Sequence, residues 1–171
     1  MDDLVTARLI LHRLTVAEAE NIAAEDPELL PHWVPGYPED DDVKAARRFL
    51  TAEREGPGRH PGAYEIRRRE DGRVVGGLDF HGPADEDGAV TVGYGLLPAE
   101  RGKGYASEAL RAALASARTR GVRRVKGDAD HDNVPSHRVM TAAGMRLAGE
   151  DERVRFYETD WEPERLQAAS T

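Results

Sequence analysis

The sequence predicts an α/β (α+β) fold in which a mixed sheet is flanked by helices. Hairpin signals come early in the 171 residues, and a strand–helix–strand unit comes late. This order is typical of a sheet that contains both antiparallel and parallel pairs. The length, and the absence of repeats or linker-like stretches, favour one domain over 1–171. We expect its core at about 4–160 and a polar, frayed C-terminal tail over 162–171.

The first elements are a strand and two helices. Residues 7–14 are rich in Leu and Ile and alternate in part, which suits a strand. The capping box of Thr15 and Glu18 predicts a short helix directly after it. Four acidic residues over 39–42 precede a second helical pattern, where they favour the helix cap and dipole over a metal site. We therefore predict no metal.

Most of the remaining chain is predicted to be strand. Asp71-Gly72 is a strong hairpin signal between two apolar runs. Helical periodicity predicts a helix over 106–120, and Asn133 followed by Pro135 predicts the start of another. About seven strands are expected in all, over 7–14, 63–69, 73–80, 89–97, 122–129, 145–149 and 154–159.

The stretch 90–121 carries the functional signal. A mostly apolar strand leads to the turn Arg101-Gly102-Lys103-Gly104, and a helix follows. A helix N-terminus has unpaired N–H groups and the positive end of the dipole, and glycines let a ligand approach the backbone. The turn therefore predicts a phosphate or pyrophosphate site, although a plain connection between core elements stays open. The spacing fits neither the P-loop nor Gly-x-Gly-x-x-Gly, because Ser107 occupies the third glycine position.

These residues resemble a known family. Arg101-Gly102-Lys103-Gly104-Tyr105-Ala106 is similar to the Arg/Gln-x-x-Gly-x-Gly/Ala motif of the GCN5-related N-acetyltransferases (GNATs). The segments 92–96, 132–136 and 6–15 resemble the RimJ/RimL-like branch, which acetylates ribosomal-protein N-termini. The likeness covers about 4–160 in order. It implies a single-domain, mostly antiparallel GNAT sheet whose central strands, here ending at Leu97 and at 129, splay apart.

The resemblance also implies the reaction and the co-substrate. Acetyl-CoA would pass its acetyl group directly to a primary amine, and the absence of cysteine is no obstacle to direct transfer. The backbone of Leu96 and Leu97 would contact the pantetheine arm and polarise the thioester. The residues implied to hold the pyrophosphate are Arg101, Gly102, Lys103, Gly104, Tyr105 and Ala106.

Two residues after the last parallel strand have two readings. The resemblance implies that Asn133 binds the cofactor arm and that Ser136 lies near the sulfur as a general acid. The residue types alone indicate helix capping, and both readings can hold together. Many GNATs carry a glutamate base in the central strand, where this chain has Thr91. Asp79 is the best substitute by position, ahead of Glu65 and His81, and a water chain is a further alternative.

The acceptor side is less specified. Trp33 and Tyr37, in a proline-rich loop, could line a substrate pocket, or Trp33 could pack against the core edge. The loops 27–42 and 55–62 are expected to decide whether the acceptor is a protein N-terminus or a small amine. A module that binds acyl-CoA without catalysis is the alternative function, and Thr91 keeps it open.

Composition narrows the partners. The net charge of -8 disfavours nucleic acid and is compatible with a cationic substrate. No apolar run approaches the roughly 20 residues of a membrane span, and the N-terminus has no signal-peptide pattern. These observations predict a cytoplasmic protein without membrane partners. The resemblance leaves a homodimer through sheet edges open.

Overall fold

The computed structural model describes residues 3–161, which form one eight-stranded sheet with four α-helices. The predicted tail over 162–171 lies outside the described residues. The strands are β1 Leu4–Val5, β2 Leu9–Arg13, β3 Ala63–Arg68, β4 Val74–Phe80, β5 Ala89–Leu96, β6 Arg124–Asp130, β7 Met145–Glu150 and β8 Val154–Thr159. The helices are α1 Val16–Ala23, α2 Asp40–Glu55, α3 Tyr105–Thr119 and α4 Val134–Ala142.

Local sequence signals explain most of these elements. Seven strands lie where the sequence predicts them, and the additional one is the two-residue β1. Thr15 caps α1, because its side chain accepts from the N–H of Glu18. Gly72 adopts a positive φ of 73° in the predicted hairpin. The predicted mixed α/β fold is confirmed.

The sheet has the order β1-β2-β3-β4-β5-β6-β8-β7. Every neighbouring pair is antiparallel except β5 and β6, which run parallel because α3 connects them. Their pairing covers only Ala89–Thr91 against Arg124–Lys126. Beyond it, β5 continues along β4 to Leu96, and β6 continues along β8 to Asp130. The central strands therefore splay apart, as the resemblance implies.

The helices cover opposite faces of this sheet. Alternation along β3 places Ala63 in one core cluster with α1 and α2, and Tyr64 and Ile66 in another with α3 and α4. The larger cluster buries the α3 stripe predicted from periodicity, including Leu110 and Leu114. Among residues 3–161, none of the helices combines the length and apolar character that a membrane span requires.

The close approach of β4 and β5 generates a stability prediction. A Cβ on Gly76 would lie 2.1 Å from the carbonyl oxygen of Gly95, so the backbone would have to move. Gly76→Ala should lower the free energy of unfolding by about 1–3 kcal/mol, the usual cost of overpacking. Urea unfolding measures the loss. Gly95→Ala is the control, because its Cβ would meet nothing within 4 Å. Equal losses in both variants would contradict the prediction.

Candidate active site

The part of β5 that has left β6, residues 93–96, lines a cleft of about 1290 Å³. Residues from both faces of the sheet line it. Asp42 and Arg48 of α2 contribute from one face, and Ser136 of α4 contributes from the other. Gly102 and Gly104 of the glycine turn also line it. One continuous space therefore joins the predicted pyrophosphate turn to the predicted catalytic residues.

The backbone of β5 presents unequal edges to its neighbours. The N–H of Leu97 donates to Val75 O at 2.8 Å, and the N–H of His81 donates to Thr91 O at 2.8 Å. In an antiparallel pair such bonding residues alternate, so the odd-numbered residues of β5 are bonded to β4. The backbone groups of Tyr94 and Leu96 consequently point toward the gap. Leu97, for which the resemblance also implies a backbone contact with the cofactor, donates its N–H to β4.

The glycine turn has the conformation that its sequence requires. Gly102 and Gly104 have φ values of 80° and 84°, a region that other L-residues rarely adopt, and Gly104 is the N-cap of α3. The amides that begin α3 lack intrahelical acceptors and carry the positive end of the dipole. Lys103 pairs with Glu100 at 3.2 Å, and Arg101 Nε donates to Leu96 O at 3.3 Å. The unpaired amides at the start of α3 can therefore accept an anion.

Arg8, which directly precedes β2, is hydrogen-bonded to this turn and to α3. Arg8 donates through Nη1 to Lys103 O and through Nε to Glu108 Oε1, both at 2.8 Å. Its guanidinium lies 4.7 Å from the centre of the Tyr105 ring, and Ala106 follows in the first turn of α3. Sequence reasoning missed the role of Arg8, because its partners are about a hundred residues away.

The start of α4 brings two predicted residues together with a third. Asn133 is the N-cap, and its Oδ1 accepts from the N–H of Ser136 at 3.2 Å. The capping interpretation is therefore correct. The hydroxyl of Tyr94 lies 2.7 Å from Ser136 Oγ, where either hydroxyl can be the donor, and 3.3 Å from the carbonyl oxygen of Ser136. Burial raises the pKa of Tyr94, and the bond to Ser136 opposes that rise.

Asp79 lies on the face of the sheet opposite to Ser136, where it contacts Arg48 and His81. It is 5% exposed, and its Oδ2 accepts from Arg48 Nη2 at 3.0 Å. Its Oδ1 lies 3.8 Å from His81 Nε2. Burial raises the pKa of Asp79 against the influence of Arg48, and burial lowers the pKa of His81 against the influence of Asp79. A Cβ on Gly93 would lie 2.7 Å from His81 Nε2, so this glycine gives the imidazole its space.

The acidic run before α2 both caps the helix and lines the cleft. Asp42 Oδ2 accepts from the N–H of Glu39 at 2.9 Å, which agrees with the structural interpretation of the run. Asp42 also faces β4, since a Cβ on Gly77 would lie within contact of its Oδ1. Desolvation raises the pKa of Asp42 to about 6. No group of three or more metal-ligating side chains is present among residues 3–161.

The two predicted aromatic residues have different surroundings. Tyr37 lines the cleft and is 6% exposed, and burial together with Glu65 raises its pKa well above the usual value. Trp33 does not line the cleft. Its Nε1 donates to Glu65 Oε2 at 3.1 Å, and its ring contacts that of Tyr37 edge-on. Glu65 is also bonded to Arg67 Nε at 2.7 Å and lies 2.9 Å from His32 Nε2. Glu65 therefore holds the loop that carries His32 and Trp33 against β3.

Comparisons with known proteins agree with this geometry. Residues 8–146 match a family model described as an acetyltransferase (GNAT) domain. A curated relative, the uncharacterised N-acetyltransferase YjdG of Bacillus subtilis, is 31% identical over 86 residues. That alignment covers 50% of this chain and 51% of the relative, so the chain spans about half the length of the curated relative that it matches.

Solved structures share the fold. The ribosomal-protein-S5-alanine acetyltransferase of Vibrio fischeri superposes with a TM-score of 0.69 at 14% identity, over 95% of this chain and 100% of the other. The ribosomal L7/L12 acetyltransferase RimL, solved with coenzyme A, has a TM-score of 0.64 at 19% identity, over 92% and 97% of the two chains. At these identities the likeness concerns the fold alone.

The partly buried carboxyl of Asp42 predicts a pH dependence of stability. Its pKa is about 6 in the folded chain and near 3.8 when unfolded, so the folded state holds the proton more tightly. Stability should therefore fall as pH rises from about 4 to 6, by up to about 3 kcal/mol from this group. In Asp42→Asn the amide oxygen can still accept from Glu39, but no proton is lost. The variant should lose this part of the slope.

Urea unfolding between pH 4 and 7 makes the measurement. Asp40→Asn is the matched control, because Asp40 is exposed and is not among the groups that shift the pKa of Asp42. It should keep the wild-type slope. Parallel pH profiles for wild type and Asp42→Asn would contradict the assigned burial effect.

Proposed function

Because this chain belongs to the family of GNAT acetyltransferases, we propose that it transfers the acetyl group of acetyl-CoA directly to a primary amine. The gap between β5 and β6 supports this proposal most strongly. It connects an anion-accepting turn to Asp79 and His81 on one face and to Ser136 on the other. Both substrates can meet in such a cleft, so no covalent enzyme intermediate is needed.

Co-substrate binding is assigned to the glycine turn and the free edge of β5. Amides over 102–106 would hold the pyrophosphate, with added charge from Arg101 and Lys103. The N–H of Leu96 points into the gap, where it can bind the pantetheine amide or polarise the thioester carbonyl. Asn133, at the mouth of the same cleft, would contact the arm.

Deprotonation of the amine is assigned to the pair formed by Asp79 and His81. Arg48 engages Oδ2 of Asp79, which leaves Oδ1 directed to the imidazole. The lowered pKa of His81 keeps it neutral at pH 7, so it can accept a proton. Asp79, predicted from sequence as the base, then acts by stabilising the imidazolium that forms. Thr91 lies at the last position where β5 pairs with β6, and it is given no part in this step.

Protonation of the leaving thiolate is assigned to Ser136. Its hydroxyl lines the cleft on the α4 face, and the Asn133 cap orients the backbone that carries it. The two proton transfers therefore take place on opposite faces of the sheet.

The acceptor is proposed to carry positive charge. Glu39, Asp40, Asp41 and Asp42 line the far end of the cleft, next to Tyr37. A protein N-terminus, as in the RimJ/RimL-like branch, and a small amine both meet this description.

A homodimer stays a prediction, to be measured by light scattering.

The first test asks whether the chain binds acetyl-CoA and releases thiol. Calorimetry measures binding, and a thiol reagent measures coenzyme A released with a panel of amines and N-terminal peptides. Binding with release would support the enzyme. Tight binding without release from any amine would favour the alternative, a non-catalytic acyl-CoA-binding module.

Gly104→Trp should weaken acetyl-CoA binding at least tenfold, because a side chain at φ 84° both strains the N-cap and fills the anion site. Calorimetry measures the affinity. Gly72→Trp is the control, since Gly72 has a similar φ of 73° in a hairpin turn where a Cβ would meet nothing within 4 Å. Wild-type affinity in Gly104→Trp would refute the assigned turn.

His81 predicts the acidic side of the pH–rate profile. Because its pKa lies below 6.5, kcat/KM should fall as pH drops through that lowered value and His81 becomes charged. Asp79→Asn should move this limb to still lower pH, since Asp79 favours the charged imidazole. His81→Gln should remove the limb. His12→Gln, on β2, is the control and should leave the profile unchanged; an identical limb in His81→Gln would exclude His81 as the base.

A further inference from the structure

We propose that Tyr94 supplies the proton that reaches the leaving thiolate, and that Ser136 passes it on. This inference rests on the proposed acetyl transfer, and it assigns a role to a residue that sequence reasoning left unused. The phenol and the serine hydroxyl are 2.7 Å apart and both line the cleft. Tyr94 would not touch the sulfur itself; it would act through Ser136.

The hydrogen bond joins the two sides of the gap. Tyr94 belongs to β5, and Ser136 belongs to the first turn of α4 after β6. The cap from Asn133 Oδ1 holds the Ser136 backbone, and His137 Nε2 lies 2.9 Å from Asp130 O at the end of β6. Ser136 Oγ is therefore held at a defined place relative to the phenol.

The chemistry of the two hydroxyls sets the direction of proton flow. A serine that gives up its only proton becomes an alkoxide, which is far more basic than a thiolate. A phenol has a pKa near 10, much closer to that of a thiol, near 8.5. When the Ser136 O–H bond breaks and the S–H bond forms, the Tyr94 O–H bond breaks and a new O–H bond forms on Ser136 Oγ. The phenolate then regains a proton from solvent, while His81 releases the amine proton.

The surroundings keep Tyr94 ready to donate. Burial and the neighbouring Tyr157 of β8 raise the pKa of Tyr94, while the bond to Ser136 opposes the rise, and the phenol is protonated at neutral pH. Asp79 and His81 act from the opposite face.

Removal of the phenol hydroxyl is the direct test. Tyr94→Phe should lower kcat at least about tenfold while the acetyl-CoA affinity stays within about twofold of wild type. Ser136→Ala should have a similar effect, and the double variant should be little slower than either single variant, because both belong to one path. Wild-type kcat in Tyr94→Phe, or fully multiplicative losses in the double variant, would overturn the relay.

A second readout separates proton supply from mere bracing of α4. Replacement of Tyr94 by 3-fluorotyrosine lowers the phenol pKa and keeps the hydroxyl. The basic limb of kcat should then move to lower pH. The same replacement at Tyr64, which is buried and bonded to Arg13, is the control and should leave the limb in place. An unmoved limb for the Tyr94 replacement would leave only a structural role and refute the proposal.

A third readout does not depend on the acceptor. The fluorine resonance of 3-fluorotyrosine at Tyr94 reports the phenol titration. Saturation with coenzyme A should shift that titration more than saturation with desulfo-coenzyme A, and Ser136→Ala should abolish the difference. Equal shifts would overturn the relay. A thiol-specific shift without acetylation of any amine would sustain the Tyr94–Ser136 link and refute the proposed transfer instead.

Discussion

The short parallel contact between β5 and β6 is the constraint on which the rest of the molecule depends. Only three residue pairs hold these strands together, from Ala89 to Thr91 on β5. Beyond them, each strand is held by its other neighbour, β4 or β8. The separation leaves peptide groups of β5 without a strand partner in the middle of a sheet, a position where unpaired backbone is costly. A ligand with amides of its own, such as pantetheine, is the natural partner for that edge.

Glycines allow polar groups to occupy the walls of this opening. Gly93 leaves space for His81, and Gly77 leaves space for Asp42. With side chains at these positions, the sheet would be filled and the carboxylate and imidazole would be displaced. At these glycines β4 and β5 therefore bury less side-chain surface and leave room for polar groups in the cleft. The larger core on the α3 face supplies stability. The result is a cleft with proton-carrying side chains on both faces of the sheet, Asp79 and His81 on one and Ser136 on the other.

Local patterns were enough to predict most of the fold, and long-range contacts explain what was missed. Capping, hairpin and helical signals depend on residues a few positions apart, so seven strands and four helices were found. The two-residue β1 is too short to have a periodic pattern. The residue pattern predicted the glycine turn and the resemblance its co-substrate, but Arg48 with Asp79 and Tyr94 with Ser136 are joined across 31 and 42 positions. No sequence spacing marks such pairs, because only the packing of α2 and α4 against the sheet brings their members together.

The bridge from Arg8 to the glycine turn has a consequence for the order in which the chain acquires its shape. During translation, Arg8 leaves the ribosome about a hundred residues before Glu108 and Lys103. The early β-hairpin and the α1–α2 pair can associate from nearby segments, since their contacts are close along the chain. The anion-binding turn, by contrast, acquires its support only when α3 has been synthesised and docked. A nascent chain would thus be partly folded well before it could capture its first nucleotide-bearing ligand.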